Sequence, residues 1–288
     1  MSVTIPFSSR KVILFLSVDI VGSTEYKNKA QSQNHWLRFF TTFYKEFPIT
    51  FLNQMETNSS LFQNLNLPPI PKLWKSLGDE LIFECEIKQH KEVQYLVKTF
   101  SQAVFNYSYH IKDKNLSLKG CAWIAGFPVI NAIITSDSNG NETKDYIGPQ
   151  IDIGFRISKF ATELKFVISV EVLILLARTT NTHFKFYLEE PRPLKGVLGN
   201  KPYPIIWIKN EKSKEEPLNQ LLNKHENPTR SDELNAYCLS FLDESGKPFM
   251  HPFLENDPSF NEKPDWYEEE FKKVEQILSS SEDNFGNP

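Results

Sequence analysis

Phe15-Leu16-Ser17-Val18-Asp19-Ile20-Val21-Gly22-Ser23-Thr24 is the stretch from which the fold is read. The apolar run from Val12 to Val18 predicts a buried strand that ends on a carboxylate, Asp19. Gly22 makes a tight turn, and Ser23 and Thr24 can each cap a following helix. N–H groups at a helix start lack intrahelical acceptors and favour an anion. Asp19 stands beside them, placed for a divalent cation; cation and amides together would suit a triphosphate. An aspartate at a strand end also serves simply as a cap or turn former, and this stretch alone leaves both open.

Outward from it, apolar residues recur at helical spacing from about Glu25 to Met55: Trp36, Phe39, Phe40, Phe43, Tyr44 and Phe47. Pro48 is expected to kink or end that helix. Asn58 to Pro71 reads as a loop. In Leu73-Trp74-Lys75-Ser76-Leu77-Gly78-Asp79-Glu80-Leu81-Ile82-Phe83, two apolar runs flank Gly78-Asp79, a hairpin signal. The hairpin puts Asp79 at a strand end, where it meets Asp19 if the strands are neighbours. Two carboxylates ~3–5 Å from one site suit Mg²⁺ or Mn²⁺ bound to phosphates; a bare turn former is the alternative.

Lys88 to Ile111 predicts a second helix, Asn115 to Gly126 a strand, and Asn131 to Thr143 a polar loop. Pro149 suits the first turn of a helix in which Asp152 and Arg156 share a face. By itself that spacing reads as a surface ion pair. A strand over Phe166 to Ser169, a helix over Val170 to Ala177, and strands over His183 to Glu189, Pro193 to Val197 and Tyr203 to Ile208 follow. Residues 1–208 are expected to form one domain. Residues 209–288 turn polar and form an extension with one helix, Pro264 to Leu278.

The 288 residues are 40% hydrophobic and include 23 phenylalanines, enough for a sizeable core. With a net charge of −4, nothing suggests a general electrostatic grip on nucleic acid. Cys85, Cys121 and Cys238 lie far apart without metal-ligand spacing, so buried thiols and a cytoplasmic location are expected. No apolar run reaches the ~18–20 residues of a membrane span. With the first strand expected so near the start of the sequence, no signal peptide is expected.

Four blocks together resemble the class III nucleotidyl cyclases, the adenylate and guanylate cyclase family. They are Asp19-Ile20-Val21-Gly22-Ser23-Thr24, Lys75-Ser76-Leu77-Gly78-Asp79, Asp145-Tyr146-Ile147-Gly148-Pro149-Gln150-Ile151-Asp152-Ile153-Gly154-Phe155-Arg156, and Leu194-Lys195-Gly196. They fall in family order over about residues 12–208. The resemblance implies an α+β, ferredoxin-like domain with a central, mostly antiparallel sheet flanked by helices, working as a head-to-tail homodimer. In each shared site Asp19, the Ile20 carbonyl and Asp79 would hold two metal ions, Mn²⁺ or Mg²⁺, and the backbone of Val21, Gly22, Ser23 and Thr24 the phosphates. The other protomer would bring Lys75 and Asp145 to the base, Asp152 to the sugar or base, Arg156 to the reacting phosphate and Lys195 to the phosphate tail.

Lys75 and Asp145 stand where adenine-specific members carry the same residues, which taken literally predicts cyclic AMP. A lysine donor and an aspartate acceptor also serve uracil or cytosine. Asp152 departs from the family's usual Asn, and Gly154-Phe155 from two small residues. Phe155 either narrows the pocket toward a single-ring base or packs into the core. The Gly-Pro-x-Ile-Asp-x-Gly-Phe-Arg form and the stand-alone catalytic domain are similar to the pyrimidine cyclases of the bacterial Pycsar anti-phage system. That resemblance implies a uridylate cyclase making cyclic UMP for a separate effector, with no nucleic acid or membrane partner. A cytidylate cyclase, an adenylate cyclase and a catalytically silent nucleotide-binding module are the alternatives.

Overall fold

The computed structural model describes residues 2–4, 9–62, 65–138, 141–178, 184–197, 199, 201–211, 227–246 and 251–281. Strand β1 (Ser2–Thr4) is short, and the organising strand is β2 (Lys11–Val21). Leu14, Phe15, Leu16 and Val18 are wholly buried there, each worth roughly 1.5–3 kcal/mol of apolar burial. Helices α1 (Ser23–Lys29) and α2 (Gln33–Ser59) follow, then the hairpin β3 (Lys72–Leu77) and β4 (Glu80–Ile87), helix α3 (His90–Ile111) and strand β5 (Ser117–Phe127). These strands lie side by side as β3-β4-β2-β5, all antiparallel. With their helices they form the β-α-β-β-α-β unit of ferredoxin-like folds. The expected fold class therefore stands, and β8 (Lys165–Ile168), β10 (Pro202–Lys209) and β9 (Phe186–Pro193) widen the sheet beyond β5. Of these junctions only β5 to β8 is parallel.

Alternation along β2 assigns the two faces. Leu16 pairs with Phe83, whose ring meets Phe47, Phe51 and Phe100 of α2 and α3. Phe15, Ser17 and Asp19 point the other way. On that side Phe15 meets Trp74, Trp123 and Tyr146, and helix α4 (Pro149–Ile157) packs on β5. Helix α5 (Val170–Ala177) lies beside α3.

Three expectations are corrected. The single long helix is two, because the chain turns at Ala30–Ser32. Pro48 sits inside α2 without ending it. The buried stripe Phe39, Phe40, Phe43, Phe47, Phe51 and Met55 continues through it, and that packing outweighs the ~3 kcal/mol a helical proline costs. The polar loop after Asn131 is instead the strand pair β6 (Ala132–Ser138) and β7 (Asn141–Ile147), joined by β1 in a separate three-stranded sheet. Asn139, Gly140 and His183 lie outside the described residues.

The extension carries two helices, α6 (Ser231–Ser245) and α7 (Tyr267–Ser281). Leu234, Cys238, Phe241 and Leu242 of α6 join the core, with Phe241 edge-on to Tyr203 at 5.5 Å. Beyond α6, Asp257 is buried against the start of α3, accepting from the His90 N–H at 2.6 Å and facing His90 Nδ1 at 2.5 Å.

Candidate functional site

The hairpin between β3 and β4 closes with Leu77 opposite Glu80 and Gly78-Asp79 as its two-residue loop. Gly78 has φ +68°, the left-handed backbone that the first position of a II′-type hairpin requires. The Tyr44 hydroxyl donates to the Gly78 carbonyl and ties the loop to α2. In the sheet Asp19 pairs with Glu80 on one side and Lys119 on the other. Glu80, Asp19 and Lys119 thus form a row on one face, with Asp79 one residue beyond Glu80.

The charges in that row feel one another. Burial pushes the Asp19 carboxyl above its ordinary value, and the Asp79 carboxylate adds to the shift; Lys119 and the Ile20 N–H act against it. Lys119 Nζ stands 3.0 Å from Asp19 Oδ2. Burial likewise raises Glu80, whose Oε1 accepts from the Ser17 hydroxyl at 2.5 Å.

Asp19, Glu80 and Lys119 share a cavity of about 430 Å³ with Asp152, Phe155 and Arg156 of α4. Helix α4 is set in place by its first turn. Pro149 opens it, and Gln150 Oε1 accepts from the Gly126 N–H and from Asn131 Nδ2, both at 2.8 Å. Ile151, Ile153 and Ile157 are buried, which turns Asp152 and Arg156 toward the cavity. Asp152 and Arg156 make no ion pair with each other, so the surface-pair reading of their spacing fails. Among the described residues the half-buried Arg156 guanidinium has no carboxylate partner.

The base-side expectation concerns Lys75, Asp145 and Phe155. Lys75 Nζ donates to both oxygens of Asp145, at 2.9 and 3.0 Å, and lies 4.7 Å from the centre of the Trp74 ring. This pair stands apart from the cavity that holds Asp19. Phe155 lines the cavity and packs on Trp123 at 5.6 Å and Trp74 at 6.2 Å, which bears out the packing reading.

Ser23 and Thr24 do not cap α1. Both lie within it, and Gly22, with φ +86°, is the N-cap. The Tyr26 N–H bonds the Gly22 carbonyl at 2.9 Å, so the earlier amides of the first turn have no helical acceptor. Lys195 is exposed in the turn after β9. Its strand is four positions from β2 in the sheet, roughly 19 Å at ~4.8 Å per strand. One chain therefore does not bring Lys195 to its own Asp19.

Among the described residues no three His, Cys, Asp or Glu side chains converge as a closed metal cage. Asp19 and Asp79 fit a different kind of site. Mg²⁺-type ions keep one or two protein carboxylates and take their remaining oxygens from water and substrate phosphates. The donors are hard oxygens, and Asp79 is half-buried one residue from Glu80, the cross-strand neighbour of Asp19, with its charge adding to the upward push on the Asp19 carboxyl.

Lys119 and Glu80 were not singled out from the sequence. Glu80 follows Asp79 directly, but Lys119 is a lone lysine in an apolar strand. Only the β2–β5 register places it opposite Asp19.

No family model matches the chain. No curated protein matches it. Among solved structures it is similar to the guanylate cyclase domain of RhGC from Catenaria anguillulae in complex with GTP, at 10% identity over 70% of this chain and 98% of that one, TM-score 0.49. It is also similar to the adenylyl cyclase CyaB from P. aeruginosa, at 12% identity over 75% and 98%, TM-score 0.47. A third likeness is to the guanylyl cyclase Cya2, at 16% identity over 74% and 98%, TM-score 0.45. Likenesses this distant carry no functional argument, and the function is argued from the residues.

Proposed function

We propose that the chain is a nucleotidyl cyclase that closes a pyrimidine nucleoside triphosphate, UTP ahead of CTP, to its 3′,5′-cyclic monophosphate. One observation carries this reading: the Arg156 guanidinium, which among the described residues has no carboxylate partner, lines the same cavity as Asp19. In the reaction the 3′-oxygen bonds to the α-phosphorus, the bond to the β-phosphate oxygen breaks, and diphosphate leaves. The hydroxyl proton passes to solvent. No side-chain nucleophile is required.

Asp19, the Ile20 carbonyl and Asp79 would hold two divalent cations, Mn²⁺ or Mg²⁺, which when bound acidify the attacking hydroxyl and offset phosphate charge. Arg156 meets the charge that builds on the α-phosphate oxygens, where a preorganised guanidinium helps most. Asp152, one turn away, orients the sugar. The amides from Val21 to Thr24 receive the β- and γ-phosphates.

A head-to-tail homodimer completes the site. Its support is the spread of the groups in one chain: Lys195 lies across the sheet, and the Lys75–Asp145 pair lies outside the Asp19 cavity. A second copy would bring Lys195 to the phosphate tail and Lys75 and Asp145 to the base. Phe155, wedged between Trp74 and the cavity, favours a single ring over a purine. The intact Lys75–Asp145 pair favours a second reading, ATP, since adenine-specific relatives in the resembled family carry the same two residues. The product would serve as a second messenger to a separate effector in bacterial anti-phage defence. Diphosphate release from each nucleoside triphosphate with Mn²⁺, in wild type and in Asp19→Asn and Asp79→Asn, tests the proposal. Release that survives either substitution contradicts it.

A further inference from the structure

The Lys119–Asp19 pair has no part in the mechanism just described. Lys119 reaches Asp19 from the neighbouring strand β5, Nζ 3.0 Å from Oδ2, with the two side chains 28% and 25% exposed. It lines the cavity that Arg156 and Asp152 line, and its charge also acts on Glu80, on the far side of Asp19. An ion bound to Asp19 Oδ2 at the usual metal–oxygen distance of about 2.1 Å would lie no farther than about 5 Å from that ammonium. Like charges at that distance in a half-buried cleft repel strongly.

We propose that Lys119 holds Asp19 in the metal-free chain and that a divalent ion enters only by displacing it toward Glu80 and the cavity. This rests on the reading of Asp19 as a metal ligand. Glu80 is suited to receive the ammonium. It is Asp19's cross-strand neighbour and it faces the same cavity. A triphosphate arriving with its metal gives the released ammonium further anionic partners. Lys119 thereby discourages binding of metal alone and favours metal that comes with nucleotide.

The test is a nucleotide-free Mn²⁺ titration of the full chain, with free Mn²⁺ read by electron paramagnetic resonance. Wild type, Lys119→Gln, Lys119→Arg and the double variant Lys119→Gln/Asp19→Asn are compared, with circular dichroism to verify folding. Lys119→Met, which keeps the aliphatic stem, replaces the Gln variant if that one fails to fold. Lys119→Gln is expected to bind Mn²⁺ about tenfold tighter than wild type. Lys119→Arg should return to the wild-type value, and the double variant should lose the gain. A Mn²⁺ affinity in Lys119→Gln equal to or weaker than wild type, while the double variant still loses binding, overturns the role of Lys119 alone. Absence of any Asp19-dependent Mn²⁺ binding in every variant overturns both this proposal and the metal-site reading beneath it.

Discussion

Gly154 of α4 lies so close to Trp123 of β5 that a Cβ on it would come within 2.3 Å of the indole ring. Trp123 is fully buried and stacks on Phe15 at 5.5 Å, so it has nowhere to go. The glycine is thus a packing requirement of the tryptophan, and it sets how closely the helix bearing Asp152 and Arg156 approaches the sheet. Gly154→Ala is expected to cost about 1–3 kcal/mol by overpacking. It should also lower turnover by about 100-fold, as the helix shifts by the order of 1 Å. Thermal unfolding and steady-state kinetics read the two effects. Wild-type values for both would refute the packing argument.

Phe155, next along, joins the aromatic wall and the cavity. Phe155→Ala should open the base side and raise kcat/KM for ATP relative to UTP by about tenfold. It should cost about 2 kcal/mol in stability, less than a fully buried phenylalanine. An unchanged substrate ratio in a folded variant would confine Phe155 to packing.

If the partner supplies Arg156, as the family resemblance implies, Asp19→Ala and Arg156→Ala proteins are individually inactive but complement each other. A mixed dimer then has one doubly damaged site and one intact site, so an equal mixture should regain roughly a quarter of wild-type activity. If Arg156 serves the Asp19 of its own chain, whose cavity it also lines, every site in the mixture carries one defect. No recovery in verified mixed dimers would therefore contradict an Arg156 supplied by the partner and leave the second copy to bring Lys195, Lys75 and Asp145.

Glu171, at the start of α5, is buried, and among the described residues its Oε1 has no hydrogen-bond partner. Burial pushes its carboxyl up; hydrogen bonds from its own N–H, Ser169 and Gln150 offset part of the shift. The folded state therefore holds this proton more tightly than the unfolded chain does. That contribution is complete below the unfolded pKa and is lost as pH rises through the higher folded one. Urea midpoints should fall as pH rises over that window. Glu171→Gln should flatten this dependence and add about 1 kcal/mol at neutral pH, because it removes the cost of burying charge. Identical pH profiles for the two proteins would contradict the assignment.

Much of this was legible because the central unit follows simple periodicity. The apolar run ending at Asp19 and the Gly78-Asp79 turn each dictate a strand end. Their neighbour relation then follows from one antiparallel ladder. What stayed hidden depends on contacts between distant segments. Lys119 acquires meaning only through register with Asp19, and Gly154 only through Trp123. Pro48 misled because propensity is local whereas the phenylalanine stripe on either side of it is tertiary. Helix α6 was missed although Leu234, Cys238, Phe241 and Leu242 have helical spacing. The charged residues around them hid a narrow apolar face that needs α5 to cover it. The strands β6 and β7 form an arm outside the main sheet, and their polar composition resembles that of a loop.

Incubation of the purified chain with Mn²⁺ and each of ATP, GTP, CTP and UTP, with products identified by mass spectrometry, bears most directly on the proposed activity. The predicted result is cyclic UMP, with cyclic CMP second, released in equal amount with diphosphate. Cyclic AMP as the main product would contradict the base assignment. Failure to cyclise any of the four, by a folded and dimeric protein, would contradict the cyclase itself.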